Sequence, residues 1–217
     1  MPSTDQLITL TDPQSPVAES FRTLRTNLIF SSLDHPLTTL LVTSAAPIEG
    51  KSLTVANLAV TMAQGGRKTI LVDCDLRRPR QHEIFGVPSD PGLTTMILDE
   101  TQEPPLVASG VQDLWLLPAG PLPPNPADLL GSRRMEAVIA TLKSRADIVL
   151  FDAPPVIAVT DAALLASKLD GALLVVSAGQ TKRDHAQRAK ELLEKINVRV
   201  VGAVLTNAAV DKSVSAY

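Results

Sequence analysis

A short stretch of the sequence, AAPIEGKS at residues 45–52, ends in the Gly-Lys-Ser triplet of a nucleotide phosphate loop. It follows the apolar, β-rich run LTTLLVTS (37–44) and opens a segment with helical periodicity, which is the context that such a loop requires. The free amides and the dipole of a helix start attract anions. We therefore expect Lys51 to reach the β and γ phosphates, the Ser52 hydroxyl to ligate Mg²⁺, and Gly50 to permit close backbone approach. A plain strand–turn–helix with an exposed lysine is the alternative.

The loop departs from the usual G-x-x-x-x-G-K-S pattern at two positions. Ala45 replaces the first glycine, and the β-branched Ile48 lies in the middle of the loop. Because a positive φ is costly for a β-branched residue, we predict a negative φ at Ile48 and an anion held mainly from residue 49 onward. The predicted nucleotide-binding residues of this loop are Pro47, Ile48, Glu49, Gly50, Lys51, Ser52 and Leu53.

Acidic residues follow two further apolar runs. ILVDCD places Asp73 and Asp75 two residues apart, so both carboxylates should leave the strand end on the same side, whereas the intervening Cys74 should point into the core. VLFDAPP places Asp152 after four apolar residues, the Walker B pattern. Paired carboxylates beside a polyphosphate suit Mg²⁺ binding and proton transfer, and Asp152 would hold a metal-bound water. Helix caps or solvated strand-end acids are the alternative. The predicted catalytic residues are Lys51, Asp73, Asp75 and Asp152, and the predicted metal-binding residues are Ser52, Asp73 and Asp152.

Apolar strand patterns alternate with helical patterns along the whole chain. The strand runs are nearly continuous, as expected where both faces of a sheet are covered. This predicts the α/β class, with an open, mostly parallel sheet and helices on both faces, whose ligands bind beyond the carboxyl ends of the strands. We expect a flexible N-terminal segment (1–15), one domain (16–210) and a flexible C-terminal tail (211–217).

Composition restricts the function further. The net charge is -3 and only 3% of the residues are aromatic, so nucleic acid is not an expected partner. A single cysteine excludes an intrachain disulfide and a zinc-ligand cluster, and it suits a reducing cytoplasm. Because no window approaches about 18 uninterrupted apolar residues, we expect no direct membrane span.

Together, SAAPIEGKS, ILVDCDLRRP and VLFDAPP resemble the Walker A, A′ and B motifs of bacterial tyrosine kinases, the BY-kinases of capsular and exopolysaccharide export. The resemblance runs from about residue 13 to residue 212. It implies a deviant P-loop fold of the MinD/ParA type, ATP and Mg²⁺ as cofactors, and Asp73 or Asp75 as the base for a tyrosine hydroxyl. It also implies an adenine contact at Asn207.

The resemblance further implies how such a kinase assembles. Glu19, Arg22 and Arg25 match the E-x-x-R-x-x-R oligomerisation motif, although the same spacing also fits a solvated helix face. Family members form a homo-oligomeric ring in which a C-terminal tyrosine, here Tyr217, is the phosphoacceptor for a neighbour. A membrane-anchored activator of the polysaccharide co-polymerase type is the implied partner. The implied location is the cytoplasm, peripheral to the inner face of the cell membrane.

Three functions fit these observations. The first is a tyrosine (auto)kinase, and the second is an ATPase switch of the partition or septum class. Ala46 occupies the position of the signature lysine of those ATPases, which counts against the second. The third is an ATP-binding scaffold without kinase activity, which the single tyrosine of the sequence supports best.

Overall fold

The computed structural model describes residues 7–100 and 102–208, and its central feature is one seven-stranded sheet. The strands lie in the order β3-β4-β2-β5-β1-β6-β7, and every neighbouring pair is parallel except β3 with β4. This confirms the predicted open, mostly parallel sheet. The strands are β1 (Thr39–Ser44), β2 (Thr69–Asp73), β3 (Val107–Ala108), β4 (Leu114–Leu117), β5 (Ile148–Asp152), β6 (Gly171–Ser177) and β7 (Val200–Thr206).

Helices cover both faces of the sheet. The first four pack on one face and the other five on the opposite face, so two apolar clusters sandwich the strands. No helix in the part of the chain that the structure describes has the length and apolarity to cross a membrane. The helices are α1 (Ile8–Thr11), α2 (Pro16–Ser31), α3 (Lys51–Gln64), α4 (Gln81–Phe85), α5 (Leu93–Leu98), α6 (Pro126–Gly131), α7 (Arg133–Lys143), α8 (Asp161–Ala166) and α9 (Arg183–Lys195).

The three central strands, β2, β5 and β1, lead into the three segments that the sequence analysis singled out. All of their residues are buried, as their near-continuous apolar runs predict. Alternate residues face opposite layers: Leu40 and Val42 pack on the α3 side, and Leu41 packs on the other side. Asp73 and Asp152 are directly paired across β2 and β5. Because the strands are parallel, the loops that follow all three meet at their carboxyl ends.

Residues 7–15 are more ordered than expected. Residues 1–15 were predicted to be flexible; residues 1–6 lie outside the described residues, but Leu7 is fully buried and α1 follows it. Both the main-chain N–H and the hydroxyl of Thr9 donate hydrogen bonds to Asn57 Oδ1, at 3.1 and 2.9 Å. These contacts with α3 are tertiary, so the local sequence pattern did not indicate them. α2 begins after an N-cap at Ser15, whose hydroxyl accepts a hydrogen bond from the Ala18 N–H.

Two short helices follow irregular segments of the chain. α4 follows the basic LRRPR segment, and α6 follows the proline-rich GPLPPN segment with Pro126 at its first position. Helices this short carry too little periodicity to be recognised in a sequence. α4 places Gln81 beside Asp73 at the end of β2.

Candidate active site

The phosphate loop contains two left-handed residues, and one of them contradicts the sequence prediction. Gly50, the N-cap of α3, has a φ of 77°, as a glycine readily can. Ile48 has a φ of 66° and is 88% exposed, so the predicted negative φ was wrong. A left-handed conformation costs a non-glycine residue about 1–2 kcal/mol, and such a conformation persists only where the surroundings determine it.

Glu49 supplies those surroundings. It is buried, its Oε2 accepts a hydrogen bond from the Ala46 N–H at 3.0 Å, and its Oε1 accepts one from the Thr181 hydroxyl. The main-chain oxygen of Glu49 accepts a hydrogen bond from the Thr206 hydroxyl at 2.9 Å. The loop is thereby attached to the β6–α9 connection and to the end of β7. Because hydrogen bonds hold both the side chain and the main-chain oxygen of Glu49, they also hold the adjacent Ile48 in its left-handed conformation.

Lys51 joins the ends of the central strands. Its Nζ lies 2.5 Å from Asp152 Oδ1, 3.2 Å from Asp75 Oδ2 and 3.2 Å from the Ser52 hydroxyl. Burial lowers the pKa of Lys51, but the charges of Asp152 and Asp75 more than offset this, so the pKa lies above its ordinary value. A buried lysine cation therefore bridges the loops that the sequence analysis singled out.

The two A′ aspartates have different surroundings. Asp73 is fully buried and its Oδ2 accepts hydrogen bonds from the main-chain N–H groups of Arg80 and Gln81, both at 2.9 Å. Burial, followed by the charge of Asp152, raises the pKa of Asp73 to about 8. Asp75 pairs with Lys51 instead, and burial raises its pKa as well. Asp73 thus anchors the A′ loop, residues 74–80, while Asp75 faces the lysine.

The alternation predicted around Cys74 is confirmed. Cys74 is fully buried in the cluster on the α5–α9 side, away from the lysine and its acids. Burial raises the pKa of its thiol well above the ordinary value. Cys74 is therefore a core residue and takes no part in the site.

Gln81 is a site residue that the sequence analysis missed. Its amide nitrogen donates hydrogen bonds to Asp152 Oδ2 at 2.7 Å and to the main-chain oxygen of Ser52 at 3.0 Å. Its own main-chain N–H binds Asp73. Nothing in the motif spacing indicated this role, because it depends on α4 folding back over the end of β2.

The site suits Mg²⁺. The donor atoms that meet around Lys51 are a hydroxyl and carboxylate oxygens, the ligands that this hard cation prefers. Oε1 of Gln81 is also buried here without a hydrogen-bond partner. Over residues 7–100 and 102–208, no group of three or more His, Cys, Asp or Glu side chains forms a metal cage. Mg²⁺ bound together with phosphates needs only one or two carboxylates, so Ser52 and Asp152 fit it.

Arg77 has a structural role. Its Nε and Nη2 donate to the two carboxylate oxygens of Asp161 at 2.8 and 3.0 Å, and the Asp161 side chain is fully buried. This bidentate pair ties the A′ loop to the start of α8.

The predicted adenine contact lies apart from the lysine cluster. Asn207 follows β7, has a φ of 55°, and donates a hydrogen bond from Nδ2 to the Ser177 hydroxyl at 2.9 Å. It lines a cavity of about 1400 Å³ between α2 and β7, which Gly50 and Leu53 also line. The cavity therefore begins at the phosphate loop and extends along the edge strand.

The predicted oligomerisation residues lie on α2, and they differ in their contacts. Glu19 and Arg22 form an exposed ion pair at 2.7 Å. Arg25 Nη1 instead donates to the main-chain oxygen of Thr61 at 2.9 Å, near the end of α3, so it has an intramolecular role. Tyr217, the predicted phosphoacceptor, lies outside the described residues.

Comparison with known proteins identifies relatives by sequence and by structure. Residues 37–211 match the ParA family model, described as NUBPL iron-transfer P-loop NTPase. The tyrosine-protein kinase YwqD of Bacillus subtilis is 41% identical over 95% of this chain and 87% of its own length. The putative tyrosine-protein kinase CapB of Staphylococcus aureus is 38% identical over 94% of this chain and 90% of its own length.

Solved structures agree with this assignment. The crystal structure of the chimerical protein CapA2B2 superposes with a TM-score of 0.88 at 38% identity, covering 93% of this chain and 89% of that one. The kinase domain of the Escherichia coli tyrosine kinase ETK superposes with a TM-score of 0.87 at 28% identity, covering 94% of this chain and 82% of that one. The septum site-determining protein MinD of Pyrococcus horikoshii, complexed with Mg-ADP, is 21% identical and shares the fold, with a TM-score of 0.65 over 82% of this chain and 75% of its own. The chain belongs to the bacterial tyrosine-protein kinase family, within the ParA-type P-loop NTPases.

Proposed function

We propose that this protein is a Mg-ATP-dependent tyrosine kinase that phosphorylates a second copy of itself and thereby regulates capsule or exopolysaccharide synthesis. The observation that carries the proposal is the position of Lys51 Nζ, 2.5 Å from Asp152 and 3.2 Å from Asp75, at the start of a buried helix. Three loops from three adjacent strands meet there. The tyrosine-kinase names of the relatives supply the acceptor class.

Phosphate binding follows from the exchange of partners at Lys51. An arriving β or γ phosphate offers Lys51 anionic oxygens in place of the carboxylates of Asp152 and Asp75, and the amides that begin α3 add their donors. The Ser52 hydroxyl and the released Asp152 carboxylate would then hold Mg²⁺. Asp73 would lie beside them and keep the A′ loop in place through its main-chain hydrogen bonds. Bound Mg²⁺ supplies charge neutralisation for the transferred phosphoryl group.

The base for the tyrosine hydroxyl is assigned to Asp75 rather than Asp73. A phenol has a pKa of about 10, so an ordinary carboxylate is a weak acceptor for its proton. Burial raises the pKa of both aspartates and makes both stronger bases. However, both oxygens of Asp73 accept main-chain hydrogen bonds. Only Oδ1 of Asp75 does so, from the Arg78 N–H, and its Oδ2 is freed when Lys51 turns to the phosphate.

The surface of α2 supports self-association. Val17, Ile29 and Phe30 expose apolar side chains on the helix that also carries the Glu19–Arg22 pair, and exposed apolar residues are typical of protein interfaces. We propose a ring in which Tyr217 of one copy enters the site of the next.

Two relatives support a membrane-anchored activator as a further partner. CapA2B2 is a chimerical protein, and this chain matches only 28% of the length of the tyrosine-protein kinase Wzc of Salmonella typhimurium. In Wzc the matched kinase domain therefore belongs to a much longer chain. An activator of this kind would place the kinase at the cytoplasmic face of a membrane.

Intact-mass analysis after incubation with Mg-ATP tests the proposal. The unmodified protein should gain a phosphoryl group on Tyr217, and Lys51→Met should gain none. Asp75→Asn should keep most of its ATP binding while losing phosphorylation. Mixing the Lys51→Met chain, as acceptor, with a Tyr217→Phe chain, as enzyme, should label the Lys51→Met chain if transfer occurs between copies.

Two results would contradict kinase activity. Release of free phosphate without any labelled tyrosine would point to an ATPase switch of the partition class. ATP binding with neither labelled protein nor released phosphate would identify a scaffold, which the single tyrosine of the sequence favours over the ATPase switch.

A further inference from the structure

Gln81 contacts each of the three residues that the sequence analysis assigned to the metal. Its main-chain N–H donates to Asp73 Oδ2 at 2.9 Å. Its side-chain nitrogen donates to Asp152 Oδ2 at 2.7 Å and to the main-chain oxygen of Ser52 at 3.0 Å. The residue is only 1% exposed. One carboxamide therefore links the start of α3 to the end of β5.

The orientation of this carboxamide follows from the chemistry of its neighbours. Both groups beside its nitrogen, a carboxylate and a main-chain carbonyl, are hydrogen-bond acceptors, so only the NH₂ end can face them. Oε1 must then point the other way, where it is buried without a partner. A buried acceptor without a donor is costly, and native structures rarely leave one unpaired unless a ligand or water completes it.

We propose that Gln81 is the positioning residue of the metal site, an inference that rests on the proposed function. By holding Oδ2 of Asp152, it turns Oδ1 towards the position that Lys51 now occupies. Its free Oε1 accepts a hydrogen bond from a donor that arrives with the nucleotide. Phosphate oxygens are acceptors and cannot fill this role, whereas a water of the Mg²⁺ hydration shell is a strong donor.

This role predicts a selective effect on metal-dependent binding. Residues that orient metal ligands typically change metal affinity 10–100-fold when they are replaced. In Gln81→Leu, the factor by which Mg²⁺ strengthens ADP binding should fall about tenfold or more, whereas ADP affinity without Mg²⁺ should change less than about twofold. Gln81→Glu, which keeps the size but places a carboxyl group against Asp152, should show the same loss. Neither substitution removes the main-chain N–H that anchors Asp73.

The experiment is calorimetric titration of ADP with Mg²⁺ or with EDTA, on protein whose folding is checked by thermal unfolding. Ser109→Ala is the matched control, because the Ser109 hydroxyl makes a buried 2.8 Å hydrogen bond to the main-chain oxygen of Leu114 at the opposite part of the sheet. The control should keep the full Mg²⁺ factor even if it loses stability.

The outcomes separate this inference from the proposed function. Failure of the unmodified protein to bind Mg-ADP would overturn both. If Mg²⁺ strengthens ADP binding by the same factor in a folded Gln81 variant as in the unmodified protein, only the positioning role would be overturned. Equal losses with and without Mg²⁺ would also overturn it, since they would indicate general damage. If Gln81→Leu does not fold, Gln81→Glu decides.

Discussion

The cluster of carboxylates around Lys51 should make the nucleotide-free protein less stable as the pH rises. Burial and the neighbouring Asp152 raise the pKa of Asp73 from 3.8 to about 8. The folded chain therefore holds a proton that the unfolded chain releases above about pH 4. The stability that this proton contributes is fully present below the pKa of Asp73 in the unfolded chain, 3.8. It is lost as the pH rises towards and through the pKa in the folded chain, about 8.

The magnitude follows from this shift. One bound proton changes the free energy of unfolding by about 1.4 kcal/mol per pH unit, so stability should fall by about 3 kcal/mol between about pH 5 and pH 7. The raised pKa of Asp75 acts in the same direction. Lys51 stays charged in this window because its pKa lies above 10.5. Carboxyl groups with lowered pKa values, such as Asp170, act only at more acidic pH.

Urea unfolding in EDTA at several pH values, on the unmodified chain and on Asp73→Asn, measures the effect. The asparagine mimics the protonated carboxyl, so this variant should match the unmodified protein within about 1 kcal/mol at pH 5 and exceed it by about 3 kcal/mol at pH 7. Asp170→Asn is the control. It removes the negative charge from the group that accepts hydrogen bonds from Thr38 and Thr39, and it should lower stability equally across this window. A flat or rising curve for the unmodified protein, or an unchanged slope in Asp73→Asn, would refute the reasoning.

Three further predictions concern the framework of the site. Ile48→Gly should relieve the left-handed strain and raise the unfolding temperature by about 2–4 °C, whereas Ile48→Val should not; equal melting temperatures would show that the loop is unstrained. Arg77→Met should lower the free energy of unfolding in urea by about 2–3 kcal/mol, because Asp161 stays buried without its cation. Adding Asp161→Asn should restore part of this loss, and the absence of any recovery would contradict the explanation. Gly92→Ala should cost more than about 2 kcal/mol, since its Cβ would lie 2.3 and 2.4 Å from main-chain atoms, whereas Gly131→Ala meets only a side chain at 3.6 Å and should be tolerated.

The strain at Ile48 and the acidic cluster have a common consequence. Both raise the free energy of the nucleotide-free state, and both lie where a phosphate and a cation are proposed to bind. Strain and buried like charges are typical of functional sites, where the ligand relieves them. We therefore expect Mg-ADP to flatten the pH dependence of stability as well as to raise the melting temperature.

The sequence by itself determined the class of fold and the principal reactive groups. Near-continuous apolar runs such as those in ILVDCD and VLFDAPP, which alternate with helical patterns, are typical of strands covered on both faces, and these strands carry acids at their carboxyl ends. The period of two also separated Cys74, in the core, from the aspartates on either side of it. These features were predictable because they depend on local periodicity and on side-chain type.

Only the tertiary structure decided which of these groups contact one another. The φ of Ile48 is set by Glu49, whose partners lie on β7 and on the β6–α9 connection. Gln81 reaches Asp152 because a five-residue helix folds over the end of β2. The strand order, which brings residues 73 and 152 side by side, likewise joins segments distant in sequence. Such contacts depend on packing between segments that are distant in the sequence. Local sequence patterns contain no information about which distant residue a given group will contact.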